Sequence, residues 1–418
     1  MTARADPHPP LRYEGRTYTA HKEFVWGTHR AMPPEETLAR IRPHLGRAAI
    51  TRVGDITGMD TIGVPVAVAV RPASATITVE SGKGLTWAAA MTSAAMEGIE
   101  RFVAEIDPIV DQCGTVGDVA GRLPAPPDRF PLFRHSSISP RRSYEWTRMQ
   151  DLRTDEPRLV PASLVHLPVE REGVPFAYPW APSSNGLASG NHFPEAVCAG
   201  LYEVVERDAS WCWQTAVSRG VPPLVVDPAT IDGPAIRQLL RTLDDAGVDA
   251  HIMWCPTDVG VPTCLGVLVD RRPGVGAYKG YGCHLDPEIA MIRAVTEAVQ
   301  SRTVFVAGAR DDILRPVYET NRRSGDVLSK LESPMGGRPV SASDIPNRAT
   351  SSFHGDVAVM LALLERAGLE HVLVRELDAS AFECSVVRVV VPGLETYQFP
   401  WVAAGERARS FDPGAVVG

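Results

Sequence analysis

The pattern Glu-x-x-Glu-Arg occurs twice in the chain, each time within a segment whose apolar residues recur with helical spacing. The first copy lies in Met91–Glu105 and the second in the segment 200–211. At about 100° per residue, Glu97, Glu100 and Arg101 share one face of the first helix, opposite an apolar face. A single stripe of this kind is also typical of a solvated helix surface. Its recurrence on a second helix favours a shared function over coincidence.

The second helix extends the polar stripe toward its own start. Glu203 and Glu206 are three residues apart, and Arg207 follows directly. Glu195 lies two turns earlier on the same side, and Asn191 stands just before the predicted helix. Carboxylate, amide and guanidinium groups are therefore expected along one side of this helix.

A third helix, predicted over 288–302, carries a related set of charges. Asp286 is its predicted N-cap, because an aspartate side chain at that position accepts a hydrogen bond from the first turn. Arg293 and Glu297 are four residues apart and share a face. Arg302 follows in the same helix. The three helices together offer glutamates and arginines as candidate ligands.

Glutamates and arginines in this combination suit a nucleoside triphosphate bound with magnesium. Mg2+ prefers carboxylate oxygens and keeps several waters, so one or two glutamates per ion suffice. Arginine grips phosphate through a fixed fork of donors. No Walker loop occurs, and residues 81–84 (Ser-Gly-Lys-Gly) are at least as typical of a tight strand-to-helix connection. An unrelated carboxylate-rich metal hydrolase is disfavoured, because few histidines accompany the glutamates.

Composition excludes several other classes of protein. The net charge of −8 argues against a nucleic-acid or anionic-membrane surface as the partner, because both require a basic patch. No apolar run reaches the roughly 18 residues that span a bilayer. The seven cysteines include no Cys-x-x-Cys pair, which disfavours zinc fingers and disulfide frameworks and predicts buried, reduced thiols. These features predict a cytoplasmic protein.

The order of predicted elements favours an α+β fold with mixed sheets over a doubly wound one, because strands and helices alternate without a regular rhythm. Residues 50–79 have β-type runs, and later strands are predicted near 250–254, 264–269 and 384–391. Helices are predicted near 33–41, 86–105, 194–216, 235–246, 286–302 and 356–367. Residues 1–26 are predicted as a flexible N-terminal tail, 27–400 as one catalytic domain and 401–418 as a C-terminal tail.

The chain resembles the YcaO family at these motifs and at others in the same order. The matching segments are THRAMPPEETLARI, ITRVGDITGMDTIGVPVAVAVRP, SGKGLT before EGIER, SNGLASGN before EVVERDA, and HLDPEIAMIRAVTEAVQSR followed by ARDD. They span residues 27–312 of the sequence. The resemblance implies a YcaO-type α+β fold in which ATP and Mg2+ bind in a cleft walled by helices.

The resemblance also implies roles for individual residues. The positions that match the metal-binding glutamates are Glu97, Glu100, Glu203 and Glu206. The positions that match other nucleotide- or metal-site residues are Asn191, Glu195, Arg207, Arg293 and Glu297. Arg30 and Thr37 match a Lys…Ser pair that contacts the nucleotide in some members, with both residue types substituted here. No catalytic residue is assigned, because His192 and His284 are more typical of loop histidines bonded to backbone.

Family members activate a backbone amide, whose oxygen accepts the γ-phosphoryl group of ATP after a nucleophile attacks the carbonyl carbon. The resemblance therefore implies ATP-dependent modification of a ribosomally made precursor peptide, by cyclodehydration to an azoline or amidine. Two alternatives stay open: thioamide formation with a TfuA-like partner and a sulfide source, and a non-catalytic accessory role. The C-terminal sequence FDPGAVVG has one proline where azole-forming members have a proline-rich tail. The sequence therefore resembles the standalone or TfuA-associated branch more closely. For such a chain we expect peptide capture by the domain itself or by a separate leader-binding protein, and the resemblance implies a homodimer.

Overall fold

The computed structural model describes residues 7–106, 110–167, 178–272, 276–308, 310, 337–397 and 399–417. The chain forms two compact units. Unit 1 draws on the segments 1–22, 99–211 and 350–410, and unit 2 draws on the segments 23–98, 212–349 and 411–418.

The secondary structure is a mixture of short strands and a few long helices. The strands are β1 (Leu11–Tyr13), β2 (Arg16–Tyr18), β3 (Arg52–Asp55), β4 (Val66–Val70), β5 (Val79–Lys83), β6 (Gln112–Gly114), β7 (Tyr144–Asp151), β8 (Pro157–Pro161), β9 (Leu187–Gly190), β10 (Leu224–Val226), β11 (Val248–Trp254), β12 (Thr263–Asp270), β13 (Ala277–Cys283), β14 (Arg338–Val340), β15 (Leu373–Leu377) and β16 (Ser385–Val390). The helices are α1 (Pro34–Ile41), α2 (Trp87–Glu105), α3 (Val116–Val119), α4 (Phe193–Ser218), α5 (Pro234–Asp245), α6 (Pro287–Ala307), α7 (Phe353–Arg366), α8 (Glu406–Ser410) and α9 (Gly414–Val417).

Unit 1 contains one six-stranded sheet and the β1–β2 hairpin. The strand order is β6-β7-β15-β16-β9, with β8 paired to β7, and these pairs are antiparallel. Trp146 and Trp180 are fully buried in the core, with ring centroids 5.4 Å apart. Their indole N–H groups donate to the carbonyls of Gly114 and Pro127, respectively. The polar end of each buried ring is therefore satisfied.

Unit 2 contains a five-stranded sheet, β13-β12-β11-β10-β14, and a three-stranded sheet, β3-β4-β5. The β10–β14 pair is parallel and the other pairs are antiparallel. Helices α5 and α6 pack on the larger sheet, and its core includes the buried side chains of Leu239, Leu268 and Val295. The α+β prediction with mixed sheets is therefore confirmed.

Glycines on two strands of unit 2 let helices lie directly on the sheets. A Cβ atom at Gly82 in β5 would lie 2.8 Å from the Cα atom of Ala94 in α2. At Gly282 in β13, it would lie 2.5 Å from the backbone nitrogen of Ala294 in α6. No side chain fits at either distance. Close backbone contact with a glycine-bearing strand therefore positions both helices.

The helices predicted from periodicity are confirmed as α1, α2, α4, α5, α6 and α7. Asp286 is the N-cap of α6, and its side chain accepts a hydrogen bond from the amide of Glu288. Predicted strands are confirmed as β11, β12 and β16. Strand β13 was not predicted, because Gly280 and Gly282 interrupt its apolar pattern.

Parts of the predicted terminal tails form secondary structure in unit 1. They are the β1–β2 hairpin and helix α8. Tyr13 of β1 is buried and its hydroxyl accepts a hydrogen bond from the amide of Glu376. Burial raises the pKa of Tyr13 to about 12. Residues 1–6 lie outside the described residues, and the limits of both tails and of the catalytic domain 27–400 stay predictions.

Two predictions from composition can be compared with the structure. Among the helices of the described residues, none has both the length and the apolar character needed to cross a bilayer. All seven cysteines are free thiols; the buried ones are Cys198, Cys212, Cys255, Cys264 and Cys283. Cys113 is exposed and Cys384 is partly buried. The prediction of buried thiols holds for five of the seven.

Candidate functional site

Helix α2 carries the first Glu-x-x-Glu-Arg pattern and packs its apolar face inward. Ala95 and Ile99 are fully buried, whereas Glu97 and Glu100 are partly exposed. The Glu100 carboxylate accepts a hydrogen bond from the Ser189 hydroxyl on β9. The predicted amphipathic arrangement is confirmed, and Glu100 is tied to the strand that leads into the second helix of the pattern.

Helix α4 carries the second pattern, and a tyrosine from the C-terminal part of the chain organises it. The Tyr397 hydroxyl donates to Glu203 Oε1 over 2.9 Å. The guanidinium carbon of Arg207 lies 4.5 Å from the centroid of the Tyr397 ring, within cation–π range. Arg207 also pairs with Glu206, with Nη2 and Oε1 3.3 Å apart. Tyr397 thus links a predicted metal ligand to a predicted phosphate ligand, a role that no sequence pattern indicated.

The start of α4 brings together two other predicted site residues. Glu195 Oε2 accepts hydrogen bonds from the backbone and side-chain N–H groups of Asn191, each over 2.9 Å. His192 Nδ1 accepts from the amide of Glu195, and His284 Nδ1 accepts from the amide of Asp286. Both histidines are therefore loop residues bonded to backbone, as the sequence predicted.

Two buried networks in unit 1 hold α4 and the segment before β9. Asp208 of α4 is fully buried and accepts hydrogen bonds from Arg407 of α8 over 2.8 and 2.9 Å. Arg388 of β16 donates to the carbonyls of Ser183 and Asn185, just before β9. Burial lowers the pKa of Arg388 to about 10, so this side chain still carries its charge at neutral pH. Arg407 belongs to the segment predicted as a C-terminal tail, and it anchors the patterned helix.

In unit 2, Arg293 and Glu297 lie one turn apart on α6. Glu297 Oε2 is 2.8 Å from the Nζ atom of Lys83 in β5. Its other oxygen, Oε1, accepts a hydrogen bond from the amide of Tyr281 in β13 over 3.2 Å. A Cβ atom at Gly280 would lie 2.6 Å from the Glu297 Cβ atom, so only glycine fits beneath it. The sequence pointed to Glu297 but did not predict that Lys83 pairs with it.

Arg30 precedes α1 and Thr37 lies within it, both in unit 2. The backbone of Arg30 bonds to Phe24, and the Thr37 hydroxyl donates to the Pro33 carbonyl over 3.5 Å. Thr92 of α2 donates to the Pro34 carbonyl over 2.9 Å, which holds α1 beside α2. The nucleotide contacts expected of Arg30 and Thr37 stay predictions.

Arg302 shares α6 with Arg293 but has a structural role. It pairs with Asp60 at 2.7 Å and with Asp270 at 2.8 Å, and its side chain is buried. The pKa of Asp270 is lowered, chiefly by a hydrogen bond from Arg272 and further by Arg302, although burial opposes the shift. Arg302 therefore joins three segments of unit 2 through its ion pairs.

The candidate ligands, taken together as a donor set, suit Mg2+ and phosphate. In unit 1 the candidate oxygen donors are Asn191, Glu100, Glu195, Glu203 and Glu206. Glu195 and Glu206 are only 2 % and 1 % exposed. Burial penalises an ionised carboxylate, and a hard divalent cation stabilises several of them at once. Thiolates and imidazoles, which softer metals prefer, are absent from this set.

Comparison with known proteins agrees with this chemistry. Residues 81–395 match the family model described as YcaO cyclodehydratase, ATP- and Mg2+-binding. A protein of Methanothermobacter thermautotrophicus is 36 % identical over 390 residues, which cover 91 % of this chain and 98 % of the relative. A protein in the tfuA 3′ region of Rhizobium leguminosarum bv. trifolii is 35 % identical over 395 residues, covering 92 % and 93 % of the two chains.

Two solved structures resemble the fold. The structure of YcaO from Methanopyrus kandleri bound with AMPPCP and Mg2+ superposes with a TM-score of 0.70 at 26 % identity, covering 96 % of this chain and 98 % of that one. A heterocyclase in complex with substrate and cofactor gives a TM-score of 0.79 at 22 % identity. The matched region covers 96 % of this chain and 56 % of the heterocyclase chain.

The fold and the family match define an ATP- and Mg2+-dependent enzyme. The chain belongs to the YcaO family of ATP-dependent cyclodehydratases. The family match covers the two Glu-x-x-Glu-Arg patterns and the α6 residues, whereas Arg30 and Thr37 precede it.

Proposed function

We propose that the protein uses ATP and Mg2+ to activate backbone amides of a ribosomally synthesised peptide, giving an azoline or amidine by cyclodehydration. The observation that carries the proposal is the set on α4 in which Tyr397 holds Glu203 by a hydrogen bond and Arg207 by its ring face. In a chain of a family that binds ATP and Mg2+, this set offers a carboxylate for the metal beside a cation for phosphate.

The proposed ligands divide by chemistry. The metal ligands are Glu97, Glu100, Glu203 and Glu206. The residues for the nucleotide are Arg30, Thr37, Asn191, Glu195, Arg207, Arg293 and Glu297. Carboxylates compensate the charge of Mg2+, and arginines compensate that of the phosphates.

When bound, ATP supplies the phosphoryl group that turns a poorly departing amide oxygen into a good leaving group. The protein contributes positioning and charge compensation, since phosphoryl transfer needs little covalent help. Tyr397 restricts both Glu203 and Arg207, so neither side chain has to be ordered when the nucleotide arrives. The proton acceptor is not assigned to a side chain, because His192 and His284 each use Nδ1 to accept from a backbone amide.

Thioamide formation is the second candidate function, and one observation favours it. The relative from Rhizobium leguminosarum bv. trifolii, 35 % identical, lies in a tfuA 3′ region. In this case an external sulfide attacks the activated amide, and a TfuA-like protein is the partner.

A non-catalytic accessory role is the third candidate. Buried glutamates such as Glu195 and Glu206 speak against it, because a scaffold gains nothing from burying like charges. For any of the three functions we propose a cytoplasmic homodimer that captures the precursor peptide directly or through a separate leader-binding protein.

The deciding experiment incubates the protein with ATP, Mg2+ and synthetic peptides encoded beside its gene, with and without sulfide and a TfuA-like protein. Mass spectrometry of the peptides separates the candidates. Loss of one water supports cyclodehydration, and exchange of oxygen for sulfur supports thioamide formation. Unchanged peptides in every mixture would favour the accessory role.

The proposed ligands are tested by Glu203→Gln and Glu206→Gln, which keep the side-chain shape and remove the charge. We expect each to lower turnover and Mg2+ affinity roughly 10- to 100-fold, as loss of a metal-site group typically does. Glu370→Gln is the matched control, since Glu370 is an exposed glutamate of unit 1. Unchanged Mg2+ affinity in both site variants would show that α4 does not bind the metal.

A further inference from the structure

Lys83, the last residue of β5, forms a shielded ion pair with Glu297 of α6. Its Nζ atom lies 2.8 Å from Glu297 Oε2, and the two side chains are 18 % and 20 % exposed. Exposed pairs of this kind contribute little because water and salt screen them. Reduced exposure weakens that screening, so the pair is a stronger interaction than a surface contact.

The Glu297 carboxylate is held at both oxygens. Lys83 engages Oε2, and the amide of Tyr281 in β13 donates to Oε1 over 3.2 Å. The terminal torsion of a glutamate is otherwise broad. Contacts from two different strands therefore select one orientation of this carboxylate.

Lys83 itself is anchored by the packing of β5. Gln300, one turn beyond Glu297 on α6, donates to the carbonyl and hydroxyl oxygens of Ser81 over 2.7 and 2.8 Å. Gly82, between Ser81 and Lys83, lies against the backbone of α2 with no room for a side chain. The pair is thus built into the strand and the helix.

We propose that Lys83 is a positioning residue for the nucleotide site, which orients Glu297 and compensates its charge so that anionic ATP can approach α6. The inference rests on the proposed assignment of Arg293 and Glu297 to the nucleotide. Lys83, Arg293 and Glu297 together carry a net positive charge. Without Lys83, Arg293 and Glu297 together are neutral, and the Glu297 carboxylate repels the phosphates more strongly.

The test replaces Lys83 and measures binding of AMPPCP with Mg2+ by calorimetry, which needs no peptide substrate. We expect Lys83→Met to weaken AMPPCP binding about five- to tenfold, in line with loss of a partly shielded pair. The KM for ATP should rise in parallel, while kcat at saturating ATP stays within about twofold. Lys83→Arg keeps a cation within reach of Glu297 and should retain binding within about twofold.

Lys279→Met is the matched control, because Lys279 is an exposed lysine on β13 in the same unit. It should bind AMPPCP like the wild type. The melting temperature of every variant without nucleotide separates positioning from folding. Equal losses of affinity in Lys83→Met and Lys83→Arg, with lowered melting temperatures, would overturn the inference in favour of a purely structural role.

Glu297→Gln separates this inference from the proposed site. If Glu297→Gln weakens AMPPCP binding and Lys83→Met does not, Lys83 has no positioning role although the site assignment stands. If Glu297→Gln leaves the affinity unchanged, the assignment of Glu297 fails and the inference fails with it. In the double variant, Lys83→Met should add little to the loss caused by Glu297→Gln, since Lys83 acts through that carboxylate.

Discussion

At the scale of single residues, Tyr397 shows how one side chain can organise two proposed ligands. Its hydroxyl fixes the carboxylate of Glu203, and its ring lies under the guanidinium of Arg207. The two functions use different parts of the side chain, so substitutions can separate them. Phenylalanine keeps the ring and removes the hydroxyl, whereas alanine removes both.

We expect Tyr397→Phe to weaken the Mg2+ affinity of the ATP-loaded enzyme about fivefold, which corresponds to the roughly 1 kcal/mol that a typical hydrogen bond contributes. The KM for ATP should change little, because the ring remains under Arg207. Tyr397→Ala should also raise the KM for ATP. Magnesium titrations of ATP hydrolysis measure both effects.

Tyr178→Phe is the matched control for this prediction. The Tyr178 hydroxyl donates to Glu145 Oε2 over 2.9 Å, the same chemistry in the same unit. An equal loss of Mg2+ affinity in Tyr178→Phe and Tyr397→Phe would mean that the effect comes from general destabilisation and not from orientation of Glu203.

At the scale of elements, each of the three patterned helices follows a strand that ends near a glycine. Gly82 precedes α2, Gly190 precedes α4 and Gly282 precedes α6. A Cβ atom at Gly190 would lie 2.5 Å from the backbone nitrogen of Ala196, so this strand also touches its helix closely. The recurring strand–helix connection places the start of each helix, and with it the register of the polar stripe.

Gly282→Ala tests this packing in unit 2. The added methyl group would lie 2.7 Å from the Arg293 Cβ atom and 2.5 Å from the backbone nitrogen of Ala294. Because helix backbone cannot yield like a flexible side chain, we expect a loss of about 2–4 kcal/mol in the free energy of unfolding. Nucleotide affinity should fall as well, since Arg293 moves with the helix.

Gly58→Ala serves as the control for this variant. A Cβ atom at Gly58 would meet nothing within 4 Å, so its free energy of unfolding should stay within about 1 kcal/mol of the wild type. Urea unfolding at fixed pH measures both variants. Equal stability of Gly282→Ala and wild type would refute the close-contact explanation for the register of α6.

At the scale of the whole molecule, buried ionisable groups couple folding to pH. Burial, reinforced by the charges of Arg375 and Arg388, lowers the pKa of His166 to about 4, while Asp111 opposes the shift. Burial also acts to raise the pKa of Asp111, but hydrogen bonds from the Arg148 amide, Arg375 and Thr147 outweigh it and bring the value to about 2. A fall in pH therefore destabilises the folded surroundings of both His166 and Asp111 in unit 1.

The lowered pKa of His166 determines the direction in which this residue makes the free energy of unfolding change with pH. Between about pH 6.5 and pH 4, the unfolded chain binds a proton at this position that the folded chain does not. The free energy of unfolding should therefore fall by about 1–3 kcal/mol as the pH drops through this window. Urea unfolding at pH 7 and 4.5, followed by tryptophan fluorescence, measures the change.

His166→Gln should make the stability of the protein less dependent on pH in that window, because glutamine does not titrate. His135→Asn is the control: His135 is exposed and has a positive φ of 68°, which asparagine tolerates. A pH dependence that is the same in His166→Gln as in the wild type would show that other groups set the acid sensitivity.

Much of the fold was predictable where the signal is local. The N-cap at Asp286 and the glutamate spacing on α2 and α4 depend on residues within a few turns, and the structure confirms them. Contacts between distant residues were not predictable. Tyr397 and Glu203 are 194 residues apart, and Lys83 and Glu297 are 214 apart. No periodicity relates such pairs.

The sequence by itself determined the helices, the faces on which their glutamates and arginines lie, and the family, because these depend on local spacing and on ordered motifs. Only the tertiary structure decided which partners surround each charged side chain. Arg293 and Arg302 are both arginines of α6, yet Arg302 is buried between Asp60 and Asp270. The physical reason is that a charged side chain takes its role from the partners that packing places around it.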